Sequence, residues 1–163
     1  MATAFEDARL LAARGHTQDA LGALQELLRT QPDHVPALLL RAALLLECRE
    51  GEAALALHER AAALAPESAE TWDGLARCLH ALARDDEALR AAERAHALLP
   101  LGDNFRYASA VYLTLVWCLR ELRRFKEALA AAEEGLERCP DAILAQWASV
   151  VEEELAEAEK EEC

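Results

Sequence analysis

The chain has 163 residues, 53% of them hydrophobic and only 5% aromatic, and a formal net charge of −13. It can bury a core, but it lacks the positive footprint that a nucleic-acid backbone demands. Alanine, leucine, glutamate and arginine dominate, and no run rich in Val, Ile and Thr alternates as a strand would, so the chain reads as all-α.

The opening segment, MATAFEDARLLAARGH, carries acids early and no uninterrupted apolar stretch, which is unlike a secretory leader. Gly15 marks a turn, and a second helical stretch follows up to Pro32. From there the chain repeats. Pro32, Pro66 and Pro100 are spaced 34 apart, and so are Ala20, Ala54 and Ala88, each of which begins an Ala-Leu pair. Ala128 and Pro140 continue both series after 40 residues, so six extra residues lie between Pro100 and the fourth unit. In the third unit Trp72, Leu75, Ala76 and Leu79 fall on one helical stripe. The polar ARDD turn comes next, and a second helix carries Ala88, Leu89, Ala92 and Ala95 before Pro100 ends it. Asp33, Ser68 and Asp141 are candidate N-caps after the prolines.

In the inserted stretch LLPLGDNFRYASAVYL, Gly102 permits a turn and Asp103 or Asn104 can cap a new helix. Nothing from Phe105 to about Leu122 breaks a helix, so the fourth unit's first helix is predicted to be extended at its N-terminus by roughly 9 Å. Phe105 and Tyr107 would then stand beyond the ordinary repeat boundary. A loop bulging outward is the alternative. The longest apolar run, YASAVYLTLVWCL, is about 13 residues, short of the roughly 20 needed to cross a bilayer. The last segment bears a stripe of Leu144, Trp147, Ala148, Val151 and Leu155 with glutamates opposite, which reads as a capping helix over about 141–160. Residues 152–163 hold seven Glu and one Lys, net −6, and read as a solvated helix end or as a patch for a basic partner.

Two short antiparallel helices every 34 residues, with the order Trp72, Leu75, Ala76, Ala88, Ala95 and Pro100 in the unit TWDGLARCLHALARDDEALRAAERAHALLP, resemble the tetratricopeptide repeat over essentially residues 1–142. Leu38 stands where the family usually has Trp, and Arg41 where it has Leu. Ala92, Ala132 and His58 stand where an aromatic is common. The resemblance implies a right-handed α-solenoid of seven or eight antiparallel helices, with units at about 1–34, 35–68, 69–102 and 109–142. Small residues at Ala8, Ala42 and Ala76 face Ala20, Ala54 and Ala88 where the helices of a pair approach, and Leu11, Leu45, Leu79 and Leu119 fill the space around them.

No glycine-rich phosphate loop, nucleophile elbow or HExxH motif occurs. The five histidines are scattered, and Cys78 and His80 point to different helix faces, so a non-catalytic protein without metal or cofactor is expected. The five cysteines make no CxxC, which suits reduced thiols and a cytoplasmic location.

The resemblance places ligands in a concave groove lined by the first helix of each unit. Helix geometry then selects Phe5, Arg9 and Ala12 in the first unit, and Leu39, Ala43 and Leu46 in the second. Asp73, Arg77 and His80 follow in the third, and Leu113, Trp117 and Arg120 in the fourth. Apolar anchors beside guanidinium forks suit a peptide or helix of a partner protein that carries hydrophobic side chains and a carboxylate, with self-association as a further possibility. The carboxylate clamp of some family members needs Asn among its cations. The one asparagine here, Asn104, lies outside the helix columns, so the clamp is not carried over. A stand-alone adaptor or scaffold is the first reading, and a dedicated chaperone for a client protein is the alternative.

Overall fold

A computed structural model describes residues 3–100 and 107–161. Helix α1 spans Ala4–Ala13, α2 Thr17–Thr30, α3 Val35–Glu47, α4 Gly51–Leu64 and α5 Ala69–Ala81. They are followed by α6 at Asp85–Ala97, α7 at Ala108–Glu121, α8 at Phe125–Arg138 and α9 at Ala142–Glu161. The described residues therefore form nine helices rather than seven or eight. The first unit contributes a complete pair because Thr3 caps α1, its Oγ1 accepting from Glu6 N at 3.3 Å, and α9 adds a ninth.

Each helix packs chiefly on its neighbours in sequence, and the first helices of successive pairs also touch: α1 with α3, α3 with α5, α5 with α7, and α7 with α9. This is the quasi-one-dimensional packing of a solenoid. Ala8, Ala20, Ala42, Ala54, Ala76 and Ala88 are all wholly buried, since a larger side chain at the closest approach would force the pair apart.

The turn inside each pair has one residue in the left-handed region. Gly15 (φ 78°), Arg49 (63°), Ala83 (56°) and Arg123 (57°) repeat the 34, 34 and 40 spacing. Each turn closes the same way, as in the third, where Ala83 N donates to His80 O at 2.9 Å and Arg84 N to Leu79 O at 2.9 Å. Glycine supplies that conformation in the first turn only; elsewhere L-residues accept a cost of about 1–2 kcal/mol.

Between pairs the caps differ from the sequence expectation at one place. His34, not Asp33, caps α3, its Nδ1 accepting from Ala37 N at 3.1 Å. Asp33 instead accepts from Arg60 of α4 at 2.9 Å. Ser68 is the N-cap residue of α5 without a side-chain cap bond. Asp141 Oδ1 caps α9 by accepting from Ile143 N at 2.8 Å and Leu144 N at 3.0 Å.

The insertion does not lengthen α7 as expected. Tyr107 is its N-cap and the helix starts at Ala108, one residue ahead of the position 40 beyond Ala69. Tyr107 O already accepts from Val111 N, which makes it the first helical acceptor rather than part of a preceding turn of helix. The candidate cap at Asp103 or Asn104 and the ring of Phe105 lie outside the described residues. Across this junction Arg138 donates to Pro100 O at 2.7 Å and to Tyr112 Oη at 2.8 Å, while Tyr112 Oη donates to Glu134 at 2.8 Å. Burial and the Glu134 carboxylate push the Tyr112 phenol up to about 12.

Candidate functional site

The first helices of the pairs line one face. Where α1, α3 and α5 meet the start of α7 they border an open cavity of about 730 Å³. Phe5, Arg9, Leu39, Asp73 and Arg77 all line it, so five of the residues singled out from the sequence come together here. Pro36, Leu40, Ala43 and Ala110 extend its apolar wall, and Glu70 and Tyr107 stand at its rim. Leu46 lies in an adjoining cavity of about 270 Å³ with Ala43, Glu47, His58, Gly74 and Arg77.

The floor is histidine from an outer helix. His58 belongs to α4, yet it lines both cavities. It fits because residue 74 is glycine: a Cβ there would lie 2.7 Å from the imidazole Cε1 and 2.8 Å from Nδ1. His58 is 4% exposed, and its Nδ1 has no hydrogen-bond partner among the described residues. Burial, helped by the Arg77 charge, lowers its pKa to about 4, so the ring is neutral at physiological pH.

The wall beside it is charged. Asp73 is 8% exposed, and its Oδ1 also lacks a partner. Burial raises its pKa, against the opposing pull of Thr114 and Arg77. Arg77, one helical turn on, is exposed and makes no hydrogen bond or ion pair with the described residues. Arg9 across the cavity is already bonded to Glu6 at 2.6 Å. Phe5 leans on His34, ring centroids 5.2 Å apart.

The remaining inner-face residues are not brought to this cavity. His80 Nδ1 sits 3.2 Å from Asp85 Oδ1 at the start of α6. Leu113 packs against the core. Trp117 meets Trp147 of α9 edge to face at 6.0 Å, with its indole nitrogen buried and unpartnered. Arg120 forms a fork on Glu154 of α9, Nε to Oε2 at 2.8 Å and Nη2 to Oε1 at 2.5 Å, and its guanidinium lies 5.5 Å from the Trp147 ring. The acidic tail thus acts partly within the chain: besides Glu154, Glu159 reaches Lys126 at 3.1 Å. Both partners of that second pair are largely exposed, so it adds little.

In the sequence His58 shows only as a histidine where an aromatic is common, and its role at the inner face does not follow from that. The signal was present but divided between helices: a histidine where the family prefers an aromatic, and a glycine at position 74 able to admit it. Cys48, Cys78, Cys118 and Cys139 are free thiols. Burial pushes the Cys118 thiol up to about 12, which makes it a packing residue rather than a nucleophile. No group of three or more His, Cys, Asp or Glu among the described residues is placed to hold a metal ion, and no described helix is long and apolar enough to cross a membrane.

This arrangement of stacked helix pairs with an open inner face is the tetratricopeptide-repeat fold. The chain superimposes on YrrB, described as a TPR protein with an unusual peptide-binding site, with a TM-score of 0.69 and 19% identity, covering 91% of this chain and 74% of that one. It matches TTC0263, a thermophilic TPR protein of Thermus thermophilus, with a TM-score of 0.74 and 18% identity over 94% of this chain and 80% of the other. PilF of Pseudomonas aeruginosa gives a TM-score of 0.81 at 18% identity, covering 94% and 68% of the two chains. No family model matches the sequence, and no curated protein matches it either.

Proposed function

We propose that the protein is a non-catalytic interaction module, an adaptor or scaffold that holds a peptide or helix of a partner protein against the inner face of α1, α3 and α5. The observation that carries this reading is the cavity itself: apolar side chains at Phe5, Leu39 and Leu40 are only half-buried beside a guanidinium, Arg77, that has no partner among the described residues. A merely solvated face has no reason to keep such residues together, whereas apolar anchors with a polar rim are how interfaces are built. The peptide-binding site of YrrB, on the same fold, is in keeping with this use. Unpaired thiols suit a reducing compartment, and we place the protein in the cytoplasm.

A photoreactive amino acid at Leu39, compared with one at the exposed Glu93 of α6, tests the assignment in native extract. The expected result is a discrete crosslinked partner from position 39 and none from position 93. Crosslinking confined to position 93 would place the interface on the outer surface and sink the proposal. The stability of the captured protein on its own then separates an adaptor, whose partner is folded, from a dedicated chaperone, whose client is not.

A further inference from the structure

The polar groups beside the cavity define more than a place to bind. Asp73 and Arg77 lie one turn apart on α5, the spacing at which a carboxylate and a guanidinium ordinarily pair. They do not: no ion pair joins them within 4.0 Å, and neither Arg77 nor Asp73 Oδ1 has a hydrogen-bond partner among the described residues. Asp73 lines the cavity with its carboxylate nine-tenths buried, and the Thr114 hydroxyl and the Arg77 charge offset that burial only in part, so a donor arriving from the cavity would stabilise it. Beside the pair, the neutral His58 ring against Gly74 lines an adjoining recess of about 270 Å³.

The ligand must satisfy an acceptor and a donor together. A carboxylate would bond to Arg77 but repel Asp73 and Glu70, which line the same cavity. An ammonium would bond to Asp73 but be brought against Arg77 and be desolvated over an uncharged imidazole. An amide offers N–H to Asp73 and C=O to Arg77 with no net charge. The flanking surface asks for an equally uncharged ligand, because Pro36, Leu39, Leu40 and Phe5 are apolar and the other cation lining the cavity, Arg9, is already bonded to Glu6. We propose that Asp73 and Arg77 read the side-chain amide of a glutamine or asparagine, carried by an otherwise apolar, uncharged segment of a partner protein that lies across α1, α3 and α5. This deepens the interaction-module reading and rests on it.

The test uses the full chain and a library of capped nonapeptides, apolar at random except for one central residue fixed as Gln, Asn, Glu, Lys or Leu, with binding read by fluorescence anisotropy. The Gln and Asn pools are expected to bind at least tenfold more tightly than the Glu, Lys and Leu pools. Asp73→Asn removes the repulsion of a carboxylate and should shift preference toward the Glu pool by about tenfold. The exposed Arg77→Gln should erase the preference for Gln and Asn while leaving the melting temperature unchanged. Binding without preference among the pools, or a preference of the native chain for Glu or Lys, overturns the amide assignment and leaves the groove standing. If no pool binds at all, the groove reading fails and takes the amide assignment with it.

Discussion

Arg77 on α5 and Arg120 on α7 both project from first helices of their pairs, yet among the described residues one has no partner and the other is fully engaged. At Arg77 the neighbouring helices leave a cavity, an Asp73 oxygen with no partner among the described residues and a buried neutral histidine. At Arg120 the next helix along, α9, supplies Glu154 as a fork and Trp147 as a cover for both the guanidinium and Trp117. The difference teaches that availability on the inner face of a solenoid is not a property of a residue's own helix. It is set by the first helix of the following pair, which either closes over the position or leaves it to a ligand. Among the described residues α9 covers α7, while the inner face of α1, α3 and α5 keeps its cavity.

The largest expected effect comes from taking that cover away. A chain ending at Pro140 loses α9, and with it Leu144 and Val151, both wholly buried, and the half-buried Trp147. At about 1.5–3 kcal/mol for each large apolar side chain, the loss is about 5 kcal/mol or more, comparable to the stability of a whole domain. The truncated chain is expected to aggregate or to form oligomers through the bared faces of α7 and α8, as seen by size-exclusion chromatography with light scattering. A monomer with an unchanged melting temperature would show that α9 does not act as the cap.

How much of this was legible beforehand follows from the range of the interactions involved. The repeat register was legible because close approach of two helices excludes anything larger than alanine, and Ala20, Ala54 and Ala88 announce that restriction directly in the sequence. The lining of the cavity was legible for the same reason: Phe5, Arg9, Leu39, Asp73 and Arg77 follow from helix geometry once the register is known. The fate of Arg120 was not, because it depends on Glu154, 34 positions along, and on which rotamers meet across the α7–α9 contact. The placement of His58 was hidden because it reaches the inner face from an outer helix through a gap that only Gly74 leaves open. The cap of α3 moved by one residue because Asp33 had a competing partner in Arg60.

The cavity carries a second, intermediate effect, in its pH dependence. His58 has a pKa of about 4 in the folded chain against 6.5 in the unfolded one. Between these values the unfolded chain takes up a proton that the folded chain refuses, so stability is intact above about pH 6.5 and declines as pH falls toward 4. The whole shift corresponds to about 3 kcal/mol. Asp73 works the other way, since its raised pKa lets the folded chain take up a proton first as pH falls, so the measurement is best made in an Asp73→Asn background. There, chemical denaturation at pH 7 and pH 4.5 should show a loss that is about 2–3 kcal/mol smaller once His58 is also replaced by Leu. An equal loss with and without His58 would mean that the floor of the cavity is wetter than its burial implies.

The smallest effect is the sharpest test of the comparison, because it sets the two arginines against each other with the same substitution. Arg120→Gln breaks a fork on Glu154 whose partners are 30% and 27% exposed. Solvent screens part of that interaction, and Glu154 keeps access to water once freed, so the expected loss is about 1 kcal/mol of stability. Binding of any partner held between α1 and α5 should be untouched, because Arg120 lines neither cavity there. Arg77→Gln should do the reverse. It removes no hydrogen bond or ion pair with the described residues, and surface substitutions of that kind stay within about 0.5 kcal/mol, while partner affinity should fall about tenfold or more through the loss of a charged hydrogen bond. Denaturation midpoints and anisotropy titrations on the two variants give four numbers. If Arg120→Gln weakens binding as much as Arg77→Gln does, the ligand extends over α7 and must displace Glu154, and α9 would then be part of the binding surface rather than its boundary.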